Sequence, residues 1–223
     1  MNVYFLVEGK CTEMLVYPAW LSFLAPSLTQ VESCSDVCTN HFFLFSGEGY
    51  PNMLTHLESA IKDVNKHGSF DYFVVCLDVE ESSPTTLETK IEKHLHDNQI
   101  VLNSRTQFVI VFQNKCIETW FLGNRAFYKC SPQDTVLRDY IAHYNVHDDD
   151  PEFMLKPSGF SGSIADFHTR YFKKICAERN CRYAKSNPGP VTCEVFLHEI
   201  SLRYQDTRHL GSFGDFLELC ERF

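Results

Sequence analysis

Five carboxylates stand where this chain could do chemistry: Glu8, Glu13, Asp78, Glu80 and Glu118. Glu8 follows directly on the apolar run Val3 to Val7, Asp78 and Glu80 follow the run Phe70 to Leu77, and Glu118 lies a few residues past Phe108 to Phe112. Carboxylates gathered in one place repel one another and are costly to bury unless a cation compensates them. Hard oxygen donors of this kind suit Mg²⁺ or Mn²⁺, which take one or two carboxylates and complete the shell with water and substrate oxygens. A divalent-metal site is therefore the expectation, provided the fold brings the acids together. The run Asp148-Asp149-Asp150 looks metal-like but reads as an exposed loop, because consecutive residues do not converge on one point.

The elements that must position these acids follow from periodicity. Four short apolar runs, Val3 to Val7, His41 to Phe45, Phe70 to Leu77 and Phe108 to Phe112, alternate with helical patterns over residues 12–24, from Pro51 to His67, and from Pro84 to His96. That order predicts an α/β fold with a mostly parallel sheet of about four strands flanked by helices. In such sheets ligands bind outside the carboxyl ends of the strands, where Glu8 and Asp78 fall. Gly9 reads as a turn residue, Glu13 as an acid in a helix first turn, and Pro18 as a kink or break in the first helix. Residues 26–40 read as a polar loop. From about Lys129 the alternation stops, and helices are expected at 134–144, 164–178, 192–204 and 213–222. The expected organisation is one domain over 1–125 and a helical region over 126–223 packed on it.

Composition narrows the classes. No apolar run reaches the ~18 residues of a membrane span, and the first strand is interrupted too soon by Glu8 and Lys10 for a signal peptide, so a cytoplasmic protein is expected. The ten cysteines lack the spacing of a closed zinc site, and several sit inside apolar runs, so they read as reduced thiols. A net charge of −9 argues against coating nucleic acid by bulk electrostatics. Yet Arg170, Lys173, Lys174, Arg179, Arg182 and Lys185 crowd one stretch against the single acid Glu178, and could track a phosphate backbone, with Tyr171 and Phe172 available to stack on bases.

The same residues carry a resemblance. A strand ending in Glu8-Gly9, a later strand ending in Asp78-Val79-Glu80, and this alternating order resemble the TOPRIM domain of topoisomerases, primases and OLD-type nucleases. Glu8-Gly9-Lys10-Cys11-Thr12-Glu13 is similar to the Glu-Gly-x-x-Thr-Glu opening of RloB-like proteins. Asn114 to Leu122 resembles that group's Asn-Pro-x-Phe-Glu-x-Trp-Leu-Leu segment, and Asn187-Pro188 to Thr192 its late Asn-Pro-x-x-Thr segment. Two positions depart: Glu80 replaces the second aspartate of the pair, and Lys115 stands where the segment has proline.

The resemblance implies a metal-dependent nuclease acting on DNA or RNA, in a family serving bacterial anti-phage defence beside an ABC-type or SMC-like ATPase. Glu8, Asp78 and Glu80 would then hold Mg²⁺ or Mn²⁺, Glu13 and Glu118 would complete the shell or orient water, and Lys10 would neutralise a phosphate oxygen. A second expectation is a non-catalytic TOPRIM-like module that binds a partner ATPase or nucleic acid. A receiver-like phosphotransfer domain fits less well, since its first strand should end in aspartate and here ends in Glu8.

Overall fold

Val3 to Val7 carry no charged side chain, and in the computed structural model of the chain, which describes residues 1–49 and 52–223, they form the centre of a sheet. This strand, β1 (Asn2–Val7), is buried along its whole length, as expected of a strand covered on both faces. It lies between β3 (His41–Ser46) and β4 (Tyr72–Asp78), with β2 (Thr29–Val31) and β5 (Gln107–Gln113) at the edges, in the order β2-β3-β1-β4-β5. All five strands run parallel. The α/β expectation therefore holds with one strand more than the four read from the sequence. That extra strand is β2, three residues in the stretch read as a loop, and too short and exposed to leave an alternation pattern.

Helices follow where the capping chemistry places them. Between the strands lie α1 (Thr12–Leu24), α2 (Asn52–His67) and α3 (Pro84–Asp97). Ser83 caps α3 by accepting from the Thr86 N–H, with Pro84 at the first helical position. The expectation that Pro51 opens α2 falls outside the described residues. Pro18 does not split α1, which runs unbroken, because Val16, Tyr17, Trp20 and Leu21 are all buried and their packing offsets the lost hydrogen bond. After β5 come α4 (Ile117–Phe121), α5 (Thr135–His143), α6 (Ile164–Glu178), α7 (Glu194–Thr207) and α8 (Gly211–Cys220). Ser163 and Asp166 form a capping box on α6. No helix among the described residues is long and apolar enough to cross a membrane.

The chain divides into two compact units. The first gathers Met1–Leu77, Ser82–Phe112 and Leu219–Phe223. One face of its sheet buries Tyr4, Leu6, Phe73 and Val75 against Leu57, Ile61 and Val64 of α2. On the other, Phe5 meets the rings of Tyr17, Phe42 and Phe223. The second unit comprises Asp78–Glu81 and Gln113–Glu218. Its core is aromatic, with Phe121, Phe172, Tyr183 and Phe196 in mutual ring contact, and Trp120 between Phe213 and Phe216.

Candidate functional site: acids at the strand ends

In the first unit the chain leaving β1 is pinned from both sides. The Glu8 N–H donates to the Cys76 carbonyl at 3.1 Å, Gly47 N–H to the Val7 carbonyl at 2.7 Å, and Gly49 N–H to the Glu8 carbonyl at 2.9 Å. Ser46 Oγ donates to the Gly9 carbonyl at 3.2 Å. Glu8 is half-buried there and Lys10 exposed. Gly9, expected as a turn residue, has no positive φ, and a Cβ on it would meet the Glu13 carboxyl, a flexible side-chain end that would have to shift. The Glu13 carboxyl lies over that bare Cα, 6% exposed. Burial pushes the neighbouring Cys76 thiol up to about 12, with the Tyr17 hydrogen bond opposing and the Glu13 charge reinforcing the shift.

Parallel pairing sets the level of the two strand ends. Val7 pairs with Cys76, so Glu8 is one residue, and Asp78 two residues, beyond that pair. Strand alternation puts Asp78 on the face of Cys76 and Val7. It would put a strand-bound Glu8 on the other face, but β1 ends at Val7 and the loop sets Glu8 instead.

In the second unit the residues after β4 do not continue extended, so the alternation that would set Asp78 and Glu80 on one side of a strand does not apply to them. Val79 N–H donates to the Gln113 carbonyl at 3.0 Å and Glu80 N–H to the Lys115 carbonyl at 2.9 Å. Both ends of the latter bond are left-handed, Glu80 at φ 49 and Lys115 at φ 70. Glu80 is exposed at this turn. Its neighbour Glu81 pairs with Lys156 at 2.7 Å.

Asp78 and Glu118 both act on a third group that the sequence does not single out. The Cys116 thiol, at the amino end of α4, is held well above its ordinary value by burial first and then by the charges of Glu118 and Asp78. Glu118 accepts from the Tyr183 hydroxyl at 2.8 Å and lies 3.9 Å from Lys185 Nζ. Thr119 is hydrogen-bonded at 2.8 Å to Nδ1 of the buried His168, whose Nε2 reaches the Met154 carbonyl at 3.1 Å. The ring therefore carries its proton on Nε2 and accepts the Thr119 hydroxyl on Nδ1.

The basic stretch is less uniform than its composition suggests. Lys174 is paired with Asp134 at 2.7 Å, and Arg179 spends its guanidinium on the carbonyls of Ala126, Phe127 and Tyr128. Arg170 lies over the Phe160 ring, 4.8 Å from its centroid. Lys173, Arg182 and Lys185 are exposed. Tyr171 and Phe172, expected to stack on bases, are 0% exposed; they are core residues, and the Tyr171 hydroxyl donates to the Tyr144 carbonyl. The aspartate run serves locally, with Asp150 accepting from Glu152 and Leu210 N–H groups.

Among the described residues no three His, Cys, Asp or Glu side chains stand grouped as a ready-made metal site. No family model, no curated protein and no solved structure matches this chain.

Proposed function

We propose that this chain is a TOPRIM-type, divalent-metal-dependent phosphodiesterase acting on DNA or RNA. The observation that supports it is the placing of Glu8 and Asp78 at the carboxyl ends of the neighbouring parallel strands β1 and β4, the edge where open α/β sheets bind ligands. The donors fit the ion: both are hard oxygen ligands, and Mg²⁺ needs only one or two carboxylates when water and substrate phosphate complete its shell. Glu8 and Asp78 would hold it, and Glu80, exposed at the turn after β4, would be the third carboxylate of the set. When bound, the ion would polarise the scissile phosphate and acidify a water.

The chain's own groups have separate tasks in this reading. Glu13, held over Gly9, is a fixed carboxylate able to orient a water, and exposed Lys10 neutralises a phosphate oxygen. Ten free thiols suit a reducing cytoplasm. The ABC-type ATPase partner and the role in anti-phage defence rest on the RloB-like resemblance alone. That resemblance stops at Lys115, because proline, locked near φ −65°, cannot adopt the φ of 70 found there.

A non-cleaving module that binds an ATPase or nucleic acid is the second reading, favoured by the engagement of Glu118 with Tyr183 and Lys185. Incubating labelled single- and double-stranded DNA and RNA with the chain in Mg²⁺, Mn²⁺ or EDTA, alone and with an ATPase partner, separates the two. Metal-dependent cleavage that disappears in a folded Asp78→Ala variant is the expected result. No cleavage by the wild-type chain in any condition would leave the module.

A further inference from the structure

Glu118 is 1% exposed, and a carboxylate withdrawn that far from water requires compensation by donors or a cation. Beside the Cys116 thiol, two of its partners come from one short hairpin about 65 residues on in sequence: the Tyr183 hydroxyl at 2.8 Å and Lys185 Nζ at 3.9 Å. Ala184 and Asn187 exchange both backbone hydrogen bonds, at 3.1 and 2.8 Å, which leaves Lys185 and Ser186 as the two residues of the tip. Tyr183 anchors the base of this hairpin, its ring packed on Phe121 and Phe172. The Lys185 side chain, by contrast, is 61% exposed. Asp166, at the start of α6, is a second acid close enough for its charge to interact with Lys185. The result is a lysine open to solvent but tethered to a buried anion. Two segments singled out in the sequence, Asn114 to Leu122 and Asn187 to Thr192, flank this tether.

We propose that Lys185 receives a phosphate of a nucleic-acid strand, and that Glu118 is a positioning residue for the hairpin rather than a metal ligand. This rests on the reading above that the substrate is nucleic acid. It separates Lys185 from Lys174 and Arg179: all three are engaged by the fold, and of the three side chains that of Lys185, held by Glu118, is the one 61% exposed. A phosphate is the ligand that suits it, since an ammonium acts as a point charge with three donors and gains most from an anion when its own position is already restricted.

The test is fluorescence anisotropy with labelled oligo(dT) and oligo(U) in EDTA, over a range of salt. Lys185→Ala is expected to weaken binding to both strands about five- to tenfold and to remove about 0.7 from the salt slope. Lys185→Arg is expected to stay within about twofold, because a cation remains at the tip. Glu118→Gln is expected to weaken binding as well, although deleting a negative charge near an anion would by itself tighten it. Tighter binding by a folded Glu118→Gln variant would overturn the positioning role. Wild-type affinity in Lys185→Ala, or no binding of either strand by the wild-type chain, would overturn the whole. Lys185→Ala removes the cation facing the buried Glu118, so it is read beside Lys185→Arg, which keeps that charge, with circular dichroism checking the fold of both; these variants keep the test decisive should Glu118→Gln fail to fold. Because metal is absent from the assay, it is independent of cleavage: a silent Lys185 with active metal-dependent cleavage sinks this proposal alone, and the converse sinks only the nuclease.

Discussion

At Gly9 the structure gives a reason for glycine that differs from the usual one. The position holds no unusual backbone conformation, and what it supplies is room for the Glu13 carboxyl. Gly9→Ala is therefore expected to displace Glu13 at a modest cost, about 1 kcal/mol in urea unfolding, because a side-chain end can swing where a backbone could not. The same variant should weaken Mn²⁺ binding or cleavage more than it weakens folding; an unchanged function would separate Glu13 from the site. Lys115 is the opposite case, a side-chain-bearing residue forced to φ 70. Lys115→Gly should raise stability by about 0.5–1 kcal/mol, read as a higher Tm, whereas Lys115→Pro should lower it by about 3 kcal/mol or more. Neither position was fully legible in the sequence. Composition announces a glycine, but whether it serves a turn or a neighbour four residues on depends on packing. The backbone at Glu80 was hidden for a similar reason, since nothing in Asp-Val-Glu announces that the chain turns left-handed at its third residue.

Elements were easier to read than side chains. The helices α3, α5 and α6 begin where Ser83, Asp134 and Ser163 cap them, and β1 and β4 declare themselves by their burial. What periodicity could not show was β2, an edge strand of three residues, or the buried polar links between helices. Two of those links carry predictions. His168 of α6 is fully enclosed, and its pKa is lowered to about 4 by burial, with the Lys115 charge adding to the effect. A depressed histidine pKa means the unfolded chain binds the proton more readily. Stability is then complete above about pH 6.5 and falls as pH drops toward 4. From pH 7 to 5 the loss attributable to this group is about 2 kcal/mol, and urea titrations of a His168→Gln variant should show that increment gone. On α7, Arg203 is buried and donates to the carbonyls of Gly123, Val146 and Asp149 at 3.3, 2.7 and 2.7 Å. Arg203→Met leaves these acceptors without their donor, and a loss of at least about 3 kcal/mol is expected by chemical denaturation.

For the molecule as a whole, the α/β architecture and the parallel sheet were legible because four apolar runs alternate with amphipathic helices over the first half of the chain. Of the candidate site, the strand-end positions were legible. Sequence order placed acids after β1 and β4, and the fold puts those strands side by side. It could not reveal that Glu118 would be taken up by Tyr183 and Lys185, nor that Tyr171 and Phe172 would be spent on the core. The central claim is that Glu8 and Asp78 share a divalent ion. Isothermal titration of the chain with Mn²⁺, repeated on Glu8→Gln and Asp78→Asn variants whose circular dichroism is unchanged, addresses it most directly. A single site in the wild-type chain that is lost in both variants is the expected result. Equal binding by all three proteins, or loss in only one of the two variants, would contradict it.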